Sequence, residues 1–408
     1  MKPNAVAILH SNFQMPTNAD GTLPFVQNSD LFYLTGIDQE DTTLLIFPDA
    51  PSPKFREILF IRYADEHVLT WEGHKLSKEQ AREQSGVELV LWQSEFEKTF
   101  RSLVFDAENI YLNSNEHKRA DVLVKNKEEQ FIEWCRIQYP LHHYHRLAPY
   151  LQAIRVEKQA HEIEQIRKAC GITKAGFERI ARFIKPGKYE YEIQAELIHE
   201  FIRSGSKGFA YEPIIASGED SCVLHYISNH KKCKNGDIIL LDVAAEYGNY
   251  KSDLTRVLPV NGKFAPRQKD IYKAVLHMFY FAKTLLRPGT DFEDYTKAIG
   301  EKAEEELVKL GLLSMEDVKK QDKSKPLYRT YFMHGVSHFL GLDVHDVGSL
   351  TGKMRAGMVL TCEPGIYVRK EGIGVRLENN IVITDDGNVD LMADIPIEPE
   401  EVENLMSK

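Results

Sequence analysis

The chain has 408 residues, 43% hydrophobic and 27% charged, with a formal net charge of -10. These proportions are those of a folded globular protein, and the length exceeds what one hydrophobic core usually sustains, so two domains are expected. The negative balance, spread without a long single-sign block, repels a phosphate backbone and gives no sign of a nucleic-acid or membrane partner.

Five cysteines, Cys135, Cys170, Cys222, Cys233 and Cys362, show no C-x-x-C spacing. They read as thiols of a reducing compartment. The apolar run at 5–9 is too short for the core of a signal peptide, so a cytoplasmic location is expected.

In chain order, 43–47, 58–62 and 88–92 read as strands and 77–85 as a polar helix, an α/β pattern. Around 137–155 come Pro140, the histidines His142, His143 and His145, and Pro149. Three close histidines can bind metal, but without carboxylate or Cys neighbours these read as a solvated connector. The domain boundary is placed there, giving domains 1–150 and 151–408. A helical pattern then runs over 158–185, stops at Pro186-Gly187 and resumes over 189–204. Strand-like runs at 238–245, 358–362 and 373–384 and helical ones at 267–286 and 292–310 make the second domain an α+β structure with a largely antiparallel sheet.

Chemistry concentrates in the second domain. In IILLDVAAEYGNYKSDLTRVLPV, residues 238–260, Gly248-Asn249 between two strand-like runs signals a two-residue hairpin. If Tyr247 pairs with Tyr250, Asp242 lies opposite Thr255 and Asp253 opposite Ala244, so both carboxylates project from one face as diagonal neighbours. No Lys or Arg lies nearby on that face. Two crowded anions in an apolar setting call for shared cations; the plainer reading is a pair of strand-end aspartates facing solvent.

Further on, HGVSHFLGLDVHDVG places His334, His338 and His345 within twelve residues. Any one of them is by default a packing or surface histidine. Glu363 in VLTCEPG ends an apolar run, with Pro364 biasing it to an extended backbone. In GVRLENNIVIT, period-two alternation puts Arg376 and Glu378 on one face and Val375 and Leu377 on the other. Two Asp, two Glu and one His form an oxygen-rich set suited to paired divalent ions such as Mn²⁺. Such a pair activates a water and holds a carbonyl oxygen as charge develops on it, which implies metal-assisted hydrolysis.

The order Asp242, Asp253, His338, Glu363, Glu378 resembles the five-ligand signature of the pita-bread metallopeptidases, the group of aminopeptidase P, prolidase and methionine aminopeptidase. NSDLFYLTG at 28–36 and TWEGHKL at 70–76 resemble the N-terminal domain of aminopeptidase P, and SGEDSCVLHY at 217–226 its substrate-side loop. Methionine aminopeptidases usually lack that N-terminal domain. The resemblance implies a C-terminal pita-bread domain behind a smaller N-terminal creatinase-like α/β domain. It also implies release of the N-terminal residue that precedes proline in peptides. The cofactor would be two Mn²⁺ ions, with Zn²⁺ or Co²⁺ as substitutes, and the assembly a homodimer or homotetramer.

Carried over by position, Asp242 would chelate one ion, His338 and Glu363 the other, and Asp253 and Glu378 both. Glu363 would also shuttle the proton of the attacking water. His225, His334 and His345 match histidines around the substrate, His345 as donor to the carbonyl or the developing oxyanion. Arg376 matches the arginine beside the bridging Glu, and Tyr211 a pocket tyrosine. Asp38 and Trp71 match residues that enter a neighbouring subunit's active site in bacterial enzymes. The sequence departs from the pattern in reading QNSD where QDSD is common, and the loops between Val347 and Glu378 look short.

Two alternatives share these features. Prolidase uses the same ligands but cleaves only Xaa-Pro dipeptides, and a non-catalytic relative of this fold would bind partner proteins, although such relatives typically lose ligands. GSLTGKM at 348–354 has too few residues between its glycines for a phosphate-binding loop, and neither H-E-x-x-H nor G-x-S-x-G occurs.

Overall fold

The computed structural model describes residues 1–120 and 123–407, which divide into two compact units, Met1–Arg155 and Val156–Lys408. The first is built on a six-stranded mixed sheet. Across it lie Leu89–Trp92, Glu57–Ile61, Thr43–Ile46, Ala5–His10, Asn109–Leu112 and His143–Arg146. The strand Ala5–His10 is buried throughout because both faces are covered. Its side chains alternate: Val6 and Ile8 share a core with Phe96, Phe100 and Phe131 on one face, and Ala5, Ala7 and Leu9 one with Leu31, Ala81 and Leu151 on the other.

The histidine patch is not a solvated connector. His143–Arg146 pairs in parallel with Asn109–Leu112 as the last strand of the sheet. His142 Nε2 lies 2.9 Å from Val104 O, and His145 Nε2 2.8 Å from Asn109 Oδ1. A short, polar edge strand discourages further pairing, which is why HYHR carries no alternating apolar signal.

In the second unit, the helices Ala160–Phe183 and Glu190–Arg203 flank the break at Pro186-Gly187. They pack closely, since a Cβ on Gly176 would stand 2.5 Å from the Phe201 ring. Pro266–Leu285 and Phe292–Lys309 follow as a second pair. The strand pairings described in this unit are all antiparallel: Ile214–Ser217, Ile238–Asp242 and Thr255–Pro259 in one sheet, Val359–Cys362, Asn379–Thr384 and Gly387–Asp390 in another. Gly365–Val368 pairs with Ile373–Arg376.

The run at 373–384 is therefore two strands rather than one. Between them Glu378 leaves the ladder and bridges Thr255. The fully buried Arg256 holds this switch: Nη1 donates to Glu378 O at 2.8 Å and Nη2 to Asn379 Oδ1 at 2.7 Å. A carbonyl that a ladder gives up must find another donor when buried, and the guanidinium supplies it. Among the described residues no helix is long and apolar enough to cross a membrane.

Candidate metal centre

Gly248 and Asn249 have φ of +57° and +67°, the left-handed values that both central positions of a type I′ hairpin turn require. Tyr250 pairs with Tyr247 and Thr255 with Asp242, the register expected from the turn. Asp253, two residues before Thr255, projects to the same face. The Tyr211 hydroxyl spans the pair, 2.5 Å from Asp242 Oδ1 and 2.7 Å from Asp253 Oδ1. The Asn380 amide fixes the backbone beneath: its Nδ2 donates to Asp253 O at 2.7 Å and its Oδ1 accepts from Asp253 N at 3.0 Å.

Glu363 leaves the end of Val359–Cys362 beside the HGVSH segment. Thr361 N donates to His338 O and Glu363 N to Val336 O, each at 2.9 Å. His338 Nδ1 lies 2.9 Å from Phe339 O, a contact that only an N–H can make favourable. That hydrogen bond turns Nε2 toward the acids, 3.4 Å from Asp253 Oδ2 and 3.6 Å from Glu363 Oε1. Glu378 completes the group: Oε2 accepts from Thr255 Oγ1 at 2.6 Å, whereas Oε1 is buried with no hydrogen-bond partner.

The electrostatics follow from crowding. Burial raises the pKa of Glu378 well above the carboxylate range, and the charges of Asp253, Glu363 and Asp242 add to it. Burial likewise raises Asp242, against the opposing charge of Arg376. Glu363 is pushed up to about 7 by burial, although His338 and Arg376 pull it down. Burial would lower His338, but its hydrogen bond to Asp253 and the charge of Glu363 prevail and raise it to about 9.

The hairpin's own Lys251 is taken up by Glu246, 3.2 Å from Nζ to Oε2, and the cation beside Asp242 comes from the tertiary fold. Arg376 Nη2 donates to Asp242 Oδ2 at 2.5 Å, Nη1 to Tyr367 Oη at 2.7 Å and Nε to Thr255 Oγ1 at 3.1 Å. One guanidinium cannot neutralise four carboxylates. Ligand atoms of Asp253, His338 and Glu378 lie within 4.8 Å of one another. With the unpaired Glu378 oxygen, this donor set fits divalent metal ions, which satisfy several carboxylates at once.

The other expected site residues of the second unit lie at varying distance from this cluster. His334 Nε2 is 2.8 Å from Tyr367 Oη and its Nδ1 3.8 Å from Glu363 Oε2. Burial, with Arg376 beside it, pushes His334 down to about 3 and keeps it neutral. His345 is exposed and meets His338 edge to face, ring centroids 4.4 Å apart. His225 is exposed in the loop after Gly218–Cys222, and its charge reaches His334. Asp38 and Trp71 belong to the first unit, Asp38 after the helix Ser29–Thr35 and Trp71 on Glu66–Glu72, 76% exposed.

Sequence reasoning missed Tyr367, Arg256 and Asn380, which orient the acids and the arginine. Each is a hydrogen-bonding side chain inside an otherwise apolar strand run, and that placement was the available signal.

Comparison with known proteins places this geometry. Residues 164–385 match the family described as metallopeptidase family M24, and residues 1–111 match the aminopeptidase P N-terminal domain. The chain belongs to metallopeptidase family M24, a hydrolase with the pita-bread catalytic domain. Within that family it is similar to the Xaa-Pro aminopeptidase of Escherichia coli K12, 35% identical over 423 residues, covering 100% of this chain and 94% of the relative. Two solved structures of aminopeptidase P from E. coli, one with the inhibitor Pro-Leu and one zinc-substituted in complex with product, superpose with a TM-score of 0.87. Each is 34% identical, and the match covers 100% of this chain and 95% of theirs.

Proposed function

We propose that this protein is a Xaa-Pro aminopeptidase, a dinuclear-metal exopeptidase that releases the N-terminal residue preceding proline. The convergence of four carboxylates and one imidazole around Arg376 carries the reading. The aminopeptidase P type of N-terminal domain supports it. Asp242 would hold one ion, His338 and Glu363 the second, and Asp253 and Glu378 both. Manganese suits so oxygen-rich a set, with zinc or cobalt able to replace it.

When bound, the ions supply positive charge to the scissile carbonyl and activate a water. The chain's own groups do the rest. Glu363, beside both His338 and His334, is suited to take a proton and return it to the leaving proline nitrogen. Arg376 anchors Asp242, and Tyr211 holds Asp242 and Asp253 together. Neutral His334 and exposed His225 and His345 face the peptide, His345 donating to the oxygen on which charge develops. Asp38 and Trp71 would contact substrate across a homodimer or homotetramer, and the five free thiols are in keeping with a cytoplasmic location.

The test compares a Xaa-Pro dipeptide with a Xaa-Pro-Xaa tripeptide, using metal-stripped protein resupplied with Mn²⁺. Tripeptide turnover that depends on the metal is expected. Turnover of the dipeptide alone would instead mark a prolidase.

A further inference from the structure

Glu190, the first residue of Glu190–Arg203, is fully buried. Its carboxylate accepts four hydrogen bonds, all from one stretch of chain. Oε1 accepts from Ser217 N at 2.9 Å and Ser217 Oγ at 2.7 Å. Oε2 accepts from Tyr226 Oη at 2.8 Å and Lys231 N at 2.9 Å. These donors bracket the loop that carries His225.

Ser221 and Cys222 anchor the loop by burial, but the part around His225 has little apolar cover. Val223 and Ile227, on either side of His225, are 49% and 58% exposed. At its base Lys231 Nζ donates to Asp220 Oδ2 at 2.9 Å, and Asn229 Nδ2 donates to Pro213 O at 2.8 Å. Four donors need four acceptor sites. An ionised carboxylate has them, whereas a glutamine amide has two and turns an NH₂ against the remaining donors.

We propose that Glu190 is a positioning residue: it fixes the 217–231 loop so that His225 stands against the peptide on the side of the site where His334 lies. The inference rests on the reading that His225 faces substrate.

The experiment uses metal-loaded full-length protein and a Xaa-Pro-Xaa tripeptide, with Glu190→Gln, Tyr226→Phe, His225→Ala and the Glu190→Gln/His225→Ala double variant. A loop displaced by about 1 Å costs on the order of 10²-fold in rate, so Glu190→Gln should lower kcat/KM by about that factor at unchanged metal content. The double variant should be no slower than His225→Ala alone, because Glu190 acts through that histidine. Hydrogen exchange should quicken at the amides of 217–231 and stay unchanged in Ala160–Phe183. Tyr226→Phe removes one bond of the four and should shift both readouts the same way by less, which preserves the test if Glu190→Gln does not fold.

A full additional loss on top of His225→Ala, or wild-type kcat/KM in Glu190→Gln, overturns the proposal. If the unaltered protein cleaves no Xaa-Pro peptide, the proposed function fails. Exchange still judges Glu190 in that case, and unchanged protection of 217–231 would overturn its role.

Discussion

Replacing Lys158 by Met should destabilise the catalytic unit severely and loosen its metal site. Lys158 Nζ and Asp346 Oδ2 are 2.7 Å apart, with each side chain only 1% exposed. Asp346 N donates to Phe339 O at 2.9 Å, which closes the 339–346 segment that carries His345 and follows directly on His338. The space is tight: a Cβ on Gly341 would stand 2.2 Å from Asp346 Oδ2 and 2.9 Å from Lys158 Cε. Removing one partner of a buried pair costs about 3–5 kcal/mol, because the other charge stays behind. At roughly 2–4 °C per kcal/mol for a unit of this size, the melting temperature should fall by about 6–20 °C. Replacing both partners, Lys158→Met with Asp346→Leu, should recover most of that loss, since apolar substitution of a whole pair is often neutral. Calorimetry on metal-loaded protein, with metal affinity measured alongside, checks both steps. A single variant costing under about 1 kcal/mol, or a double variant as unstable as the single, would refute the reasoning.

Asp253→Asn removes a carboxylate from the centre of the cluster and should lose at least one metal ion by elemental analysis, together with nearly all activity; full turnover would rule out a bridging role. His345→Ala should keep its metal and lose about 10²–10³-fold in kcat, the usual effect of removing one transition-state donor; an unchanged kcat would mean that the ring only packs against His338. In the first unit, burial against Phe96 and Phe131 and the charge of Lys127 push His10 from 6.5 down to about 3. The unfolded chain then binds the proton first, so His10's contribution is intact above pH 6.5 and is lost at about 1.4 kcal/mol per pH unit as pH falls toward 3. Glu128, raised by burial, acts in the opposite sense but titrates in both proteins when wild type is compared with His10→Phe. Urea unfolding from pH 7 to pH 4 should show the stability difference between the two changing with pH, and parallel curves would contradict the shift.

How much of the site could be read from the chain differs from one contact to the next. The turn Gly248-Asn249 fixed which hairpin residues face each other, because a two-residue loop sets the register and a period of two sets the face. Helix stops such as Pro186-Gly187 were legible for the same reason: backbone chemistry acts on its immediate neighbours. Only the resemblance linked His338, Glu363 and Glu378 to that hairpin. The break at Glu378, the Arg376 contact to Asp242 and the histidine edge strand had no local signal, and a polar Asn380 in an apolar run signalled a buried partner without naming Asp253. Arg376 and Asp242 lie 134 positions apart and Asn380 and Asp253 127 apart. Turn type and periodicity act over a few residues, so they set each strand's own geometry. Contacts across more than a hundred residues depend on how the sheets pack, and only the folded chain decides which buried polar groups then satisfy one another.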